Sequence, residues 1–391
     1  MDLGERYLEL ALRFRRIAPS LVEAYTGPAE LAEAVEAEPM PSEPEVAERA
    51  AELRAAVLAE ELEPARASWL GAQAAGIEAA CNWLAGEPIG YRELVERCYG
   101  PTPGEVDPAE LQQAHELILE ALPGPGSAAE RYQAWSRGQL VEGERLLAGF
   151  EALAAELGRR TRERWELPDG EGIDLEMVSD RPWAANADYQ GALRTTIQIN
   201  HGLPIPAWRM VELIAHEAYP GHHTEHVRKE AALVRGHGRT EYCVWVYTTP
   251  QALVAEGIAM IAPELLLGEE IEEVGAACLR PFGIDYDIAG SAAARRAHEL
   301  LVPLRADFAL RIDEGRVDRD GVFAEARRWM LEDDAYVARV VDNLHDSDWP
   351  PYESCYPEGL RLARAHVAGD AARFDRLLRE QLTPAELTAP G

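Results

Sequence analysis

The sequence predicts a mainly α, multi-helical fold built around a cleft, with one small β ribbon. Three observations carry that prediction. Apolar residues recur at mixed three- and four-residue spacings through most of the chain, Pro/Gly/Ser segments punctuate those runs, and only two short stretches show the make-up of strands. At 391 residues the chain can bury a large core, as one extended unit or as two lobes sharing a cleft. The expected division is an N-terminal helical region over 1–165 and a second region over 166–391 that shares one cleft with it.

From residue 5 to about 165 the pattern is helical. Leu8, Leu12, Ile17 and Leu21 open it, and an Ala/Glu-rich run follows from Pro44 to Glu61. Asp107-Pro108-Ala109-Glu110 combines a capping carboxylate, Pro at the first helical position and Glu three residues after the cap, so a helix starts there and runs towards Ala121. A long helix is expected from about Ala128 to Trp165, with Gly138 or Gly149 as the place of any bend. The texture then changes. Asp169-Gly170-Glu171-Gly172 reads as a turn, Ile173 to Val178 alternates as a half-buried strand, and Leu193 to Asn200 is rich in β-branched residues and makes a second strand. Trp208 to Tyr219 returns to helical patterning, with Val211, Ile214, Ala215 and Ala218 on its core side. Further helices are expected over about 250–266, 287–315, 320–333 and 356–382, with an ordered aromatic and Pro-rich loop from Asp346 to Tyr356.

Charge narrows the partners. Sixty-nine acidic against 38 basic residues give a formal net charge of −31, which argues against a nucleic-acid backbone or an anionic membrane and favours cations and positively charged substrate ends. Five Cys without a C-x-x-C spacing argue against a disulfide framework. The first residues lack the basic-then-apolar order of a secretory signal, and no run is read as reaching the roughly 18 apolar residues of a membrane span. A cytoplasmic protein is the expectation.

The chemistry concentrates in His216-Glu217-Ala218-Tyr219-Pro220-Gly221-His222-His223. Two His at i and i+4 on a helix can grip one metal ion, with the Glu between them as general base. Here position i+4 from His216 is Pro220, and a regular helix turns His222 about 240° away, at about 100° per residue. Pro220 lacks the N–H that would bond the carbonyl of residue 216, and Gly221 permits unusual dihedrals, so the pair can loop out two residues and return His222 to the ligand position. Glu256, forty residues beyond His216, is a carboxylate inside an apolar run and is the expected third ligand. The expected ligand set is therefore His216, His222 and Glu256 around one Zn2+ ion per chain, with an open position for water. Glu217 is the expected general base. Glu264, two turns after Glu256, is expected to orient a ligand imidazole, His226 to lie behind the ligands or face solvent, and His237 to sit in a loop.

This string, together with Asn200 and the Leu203-Pro204 segment, resembles the motif of the bacterial DUF885 family of gluzincin-like zinc metallopeptidases. Glu256-Gly257-Ile258-Ala259-Met260-Ile261-Ala262-Pro263-Glu264 is similar to the family's second block, keeping both Glu and replacing two aromatics by Ile258 and Ile261. Arg311 to Arg316 and Tyr356-Pro357-Glu358-Gly359 resemble later blocks, while Thr224-Glu225 stands where the family has Leu-Gln. The resemblance covers about 165–370 and implies a helical cleft enzyme whose 166–391 region is metallopeptidase-like. The expected activity is hydrolysis of short peptides. The alternatives are a zinc amidohydrolase of a non-peptide amide, and a silent binding protein stabilised by its metal. Tyr356, at the family-like Y-x-x-G, is the expected oxyanion donor, with Tyr286, Tyr352, His345 and Arg339 as substitutes. The strand 193–200 is expected to be the edge to which an extended peptide adds, and Asn200 to hold the strand end or contact substrate.

Overall fold

A computed structural model describes residues 2–346 and 350–388, and it is mainly α with small β elements, as the apolar spacing predicts. The first part is a succession of helices: α1 (Leu3–Ile17), α2 (Ala29–Glu36), α3 (Glu43–Ala59), α4 (Pro64–Leu84), α5 (Tyr91–Tyr99), α6 (Pro108–Ala121), α7 (Ala128–Gly138) and α8 (Glu144–Arg164). Strand β1 (Val22–Tyr25) lies between α1 and α2. The Asp107 side chain accepts the Ala109 N–H at 2.8 Å, so α6 begins where its capping residues place it. The single helix expected over 128–165 is two. Residues 139–141 leave the helix to pair elsewhere, with the Val141 N–H on the Ile205 carbonyl at 3.0 Å and the Ala207 N–H on the Gln139 carbonyl at 2.9 Å. Gly143, at φ +64°, then turns the chain into α8.

The middle of the chain holds β2 (Gly172–Val178), β3 (Ala185–Gly191), β4 (Arg194–Asn200), α9 (Ala207–Glu217), α10 (His222–Lys229), β5 (Val244–Val246) and α11 (Pro250–Leu267). β2, β4 and β3 form one sheet in that order, β2 parallel and β3 antiparallel to β4, with Ala187 opposite Ile197. Two expectations change. The sheet has three strands, and β4 is its centre, so the strand over 194–200 is no edge; β3 is. β1 and β5 form a separate antiparallel pair.

The rest is α12 (Ile271–Leu279), α13 (Ile288–Leu301), α14 (Leu304–Asp313), α15 (Arg319–Trp329), α16 (Asp334–Asp346), α17 (Cys355–Val367), α18 (Ala371–Leu377) and α19 (Pro384–Thr388). Pro303 splits the helix expected over 287–315, and Ala368 and Gly369, both at positive φ, split the one over 356–382. Of the loop expected over 346–356, residues 347–349 lie outside the described residues, and 350–354 form a 3₁₀ turn that feeds α17.

Two large buried clusters form most of the interior, with a small third one at Tyr189, Leu193 and Val227. Of the two large ones, one joins α1, α3 and α4 to Cys243, Val244 and Val246, and the larger gathers most of the later helices around α11, which is buried nearly all round. α11 and α17 meet backbone to backbone. A Cβ on Gly257 would lie 2.4 Å from the Gly359 carbonyl oxygen, and one on Gly359 would lie 2.5 Å from that of Leu253. All five cysteines are free, in line with the absence of a disulfide pattern.

Candidate metal centre

α9 is set by its apolar face. Met210, Val211, Ile214 and Ala215 are buried, which turns His216 and Glu217 towards the cleft. The helix stops at Glu217, and α10 begins at His222 after the cis Tyr219–Pro220 bond. Through this junction the backbone bonds lengthen from four residues to six, from the Gly221 N–H to the Ala215 carbonyl (3.0 Å) and from the Thr224 N–H to the Ala218 carbonyl (3.3 Å). Two residues are thus looped out, which brings the His216 and His222 rings to 4.7 Å at 90°. Position 221 must be Gly, because a Cβ there would sit 1.8 Å from the His216 carbonyl oxygen.

α11 brings Glu256 between the two imidazoles. Its carboxylate oxygens lie 3.4 Å from His216 Nε2 and 3.6 Å from His222 Nε2. One donor atom from each of the three residues lies within 4.8 Å of the others. Those separations exceed a good hydrogen bond but match ligand pairs around one ion: two donors each about 2.1 Å from a tetrahedral centre are about 3.4 Å apart. Glu256 Oε2 is buried and has no hydrogen-bond partner. Burial raises the Glu256 carboxyl pKa, but the two imidazoles outweigh it and hold the group far below the usual range. Burial lowers His222, yet Glu256 pulls it up to about 9. The set therefore attracts positive charge, and the chemistry of its donors fits a divalent cation. His216, with 20% of its side chain exposed against 10% for His222, is the ligand on the solvent side.

Glu217 is buried beside this cluster and is bonded by the backbone N–H of Ala187 on β3. Burial pushes its carboxyl pKa up, and the neighbouring His216 and His222 pull it partly back. Tyr352 donates its hydroxyl to Glu256 Oε1. Tyr356 packs its ring edge-on against Tyr352 at 5.6 Å, and burial with Glu256 and Glu217 nearby keeps its phenol protonated.

Several other residues lie elsewhere. His223, beside His222, is fully occupied: Nε2 meets Glu171 at 2.8 Å and Nδ1 meets Thr195 Oγ1 at 2.7 Å. His226 stacks on Tyr189 at 4.7 Å and tilts against Trp245. His237 is exposed and bonded to the Ala232 carbonyl. Glu264 turns away from the centre to pair with Arg364 at 2.9 Å, so it orients no imidazole. Asn200 binds the carbonyls of Arg181 and Trp183 and the Gly202 N–H, which makes it a clasp for the loop before β3. Tyr286 is buried on Glu272, His345 caps the Val341 carbonyl, and Arg339 lies over Tyr336, which leaves Tyr352 as the alternative phenol at the cluster. The Ala187 N–H escaped sequence reading because a backbone donor leaves no mark in the side-chain pattern. Tyr352 carried a weak signal in the aromatic, Pro-rich stretch.

No family model and no curated protein matches the chain. Among solved structures it is similar to a protein from Colwellia psychrerythraea described as a lipoprotein, with TM-score 0.54 and 15% identity over 89% of this chain and 69% of that one. The cytoplasmic expectation is overturned on this comparison and on a second finding. Pro250–Phe282 is long and apolar enough, by length and composition, to cross a membrane, although 72% of its most apolar window is buried inside the fold. Glu256 and Glu264 interrupt that run for the eye but do too little to its average polarity. What the comparison shows is the fold: the chain shares a helical architecture with that protein, and within it carries a His-His-Glu cluster that can coordinate a divalent metal.

Proposed function

We propose that this chain is a zinc-dependent hydrolase that cleaves peptide bonds in short peptides, of the gluzincin-like DUF885 kind that its motif resembles. The observation that supports it is the approach of His216 Nε2, His222 Nε2 and Glu256 to a common centre, with a buried carboxylate, Glu217, beside them. When bound, a zinc ion would supply Lewis-acid polarisation of the scissile carbonyl and acidification of a water. Glu217 takes the proton from the attacking water and gives it to the leaving amine; its raised pKa suits both transfers. Tyr356 donates a hydrogen bond to the oxygen that gathers charge, and Tyr352 fixes the carboxylate of Glu256. An extended substrate lies along β3, the sheet edge that already reaches Glu217 through Ala187.

The test is metal analysis of the purified protein, followed by hydrolysis of a mixed short-peptide library by wild type and Glu217→Gln. The expected result is about one zinc per chain in both proteins and a loss of kcat of about 10²–10⁴-fold in the variant. Wild-type protein that holds zinc yet cleaves no peptide would overturn the peptidase reading.

A further inference from the structure

Glu23 is partly buried near the same centre, close enough to Glu217 for the two carboxylates to repel, and has no role in the chemistry above. The β1–β5 pairing slips between Glu23 and Tyr25, and Ala24 between them sits at φ +32°, so a bulge sets the direction of the Glu23 side chain. Its carboxylate accepts a hydrogen bond from Asn186 Nδ2 at 3.1 Å and another from the Tyr247 hydroxyl. Both partners lead to the metal centre. Asn186 directly precedes Ala187, whose N–H holds Glu217, and the Tyr247 ring packs edge-on at 5.2 Å against Tyr352, which holds Glu256.

What sets Glu23 apart is its company. Two buried carboxylates elsewhere stand against guanidinium groups, Glu241 with Arg66 at 2.8 Å and Glu272 with Arg295 at 2.9 Å. Among the described residues Glu23 is held by two neutral donors, and the charged groups named as acting on it, Asp188 and Glu217, are themselves acidic. A carboxylate withdrawn from water without a counter-cation is costly, and a cationic ligand group removes that cost.

We infer that Glu23, with Asn186 and Asp188 beside it on β3, binds the free α-ammonium group of the substrate, so that the cleft takes peptides by their amino end. This rests on the peptidase reading of the neighbouring centre. The spacing selects a terminal amine. Asn186 and Ala187 are consecutive on a strand that rises about 3.3 Å per residue, so the anchor stands within one or two residues of the bond that faces Glu217. Asp188, two residues along the same face of β3 from Asn186, supplies a second acceptor for an ammonium with three donors.

The experiment compares trialanine with N-acetyl-trialanine, and both with N-acetyl-Lys-Ala-Ala. Turnover is followed with zinc-loaded wild type, and binding by calorimetry with zinc-loaded Glu217→Gln. Free trialanine is expected to bind and turn over at least about tenfold better than its acetylated form. Adding Glu23→Gln is expected to raise KM for trialanine at least about tenfold, with a smaller change in kcat and unchanged zinc content. Equal handling of free and acetylated trialanine overturns the anchor while leaving the hydrolase intact. A tenfold binding preference without cleavage keeps the anchor and overturns the peptidase. Preference for the acetylated lysine peptide over free trialanine overturns the α-ammonium assignment in favour of a side-chain cation, and absence of binding by all three overturns it outright.

Discussion

His222 and His223 are consecutive residues, and they belong to two assemblies built on opposite principles. On one side of the α9–α10 junction, His216, His222 and Glu256 converge without good hydrogen bonds among them, and one carboxylate oxygen and His222 Nδ1 are buried without partners. On the other side, Glu171 accepts from His223, from the Tyr219 hydroxyl at 2.7 Å and from Arg162 Nε at 2.6 Å, while Thr195 occupies the second nitrogen of His223. Both assemblies are imidazole and carboxylate in a buried setting. The difference is satisfaction: the second uses its donors and acceptors on one another, and the first leaves ligand atoms free to take a cation. An incomplete donor set marks a ligand centre, and a complete one marks a strut.

The sharpest break of this comparison is substitution of the two neighbours in turn. His222→Ala is expected to lower zinc affinity by about 100-fold or more, measured by competition with a chromogenic chelator. His223→Ala is expected to keep zinc at full stoichiometry and to lose about 2–4 kcal/mol of stability in denaturant unfolding, because it leaves Glu171 and Thr195 unpaired. If His223→Ala loses the metal and His222→Ala keeps it, the assignment is reversed.

Acid sharpens the contrast next. Burial raises the Glu171 carboxyl pKa, but hydrogen bonds from His223, Tyr219 and Arg162 bring it down to about 2. The folded value lies below the unfolded value of about 4.3, so the strut's contribution is complete above about pH 4.3 and is lost as the pH falls towards 2. Glu171→Gln is expected to cost about 2–3 kcal/mol at pH 7 and little at pH 2, read from urea midpoints at each pH. A constant penalty across that range would remove Glu171 from the account of acid sensitivity. A smaller effect is expected at Tyr352, where Phe removes the hydroxyl on Glu256 and weakens zinc binding about tenfold with stability nearly unchanged. Glu264→Gln marks the floor. It breaks an exposed pair with Arg364 and is expected to change stability by less than about 1 kcal/mol and zinc affinity not at all.

How much of this was legible in the sequence depends on whether the cause was local. The start of α6 is written in Asp107 and Pro108, and the two-residue loop-out in Pro220 and Gly221, because capping and backbone constraint act over a few residues. β3 was invisible, since Ala185-Asn186-Ala187-Asp188 has little intrinsic strand character and is extended by its pairing with β4. The central position of β4 follows from a parallel pairing with β2, a long-range choice that alternation in β4 itself cannot reveal. The break between α7 and α8 has the same origin, in bonds from residues 139–141 to 205–207. Glu264 was misread for a simpler reason. Eight residues at about 100° each leave it about 80° round the helix from Glu256, enough to carry it from the cluster to Arg364. The loop-out at Pro220 and Gly221 points to His222 in the sequence, but the role of His223 is set by Glu171 and Thr195, which lie far from it in the chain.

The seam where Gly257 meets Gly359 has a further reach. With no side chains between them, α11 and α17 behave as one rigid beam, and the carboxylate of residue 256 is mounted one position from the point of contact. A single methyl group added at either glycine would act as a shim. It would push the beams apart and swing the carboxylate off its target, though no ligand had been touched. The placing of the third member of the His-His-Glu cluster is therefore written partly in the thickness of a helix joint.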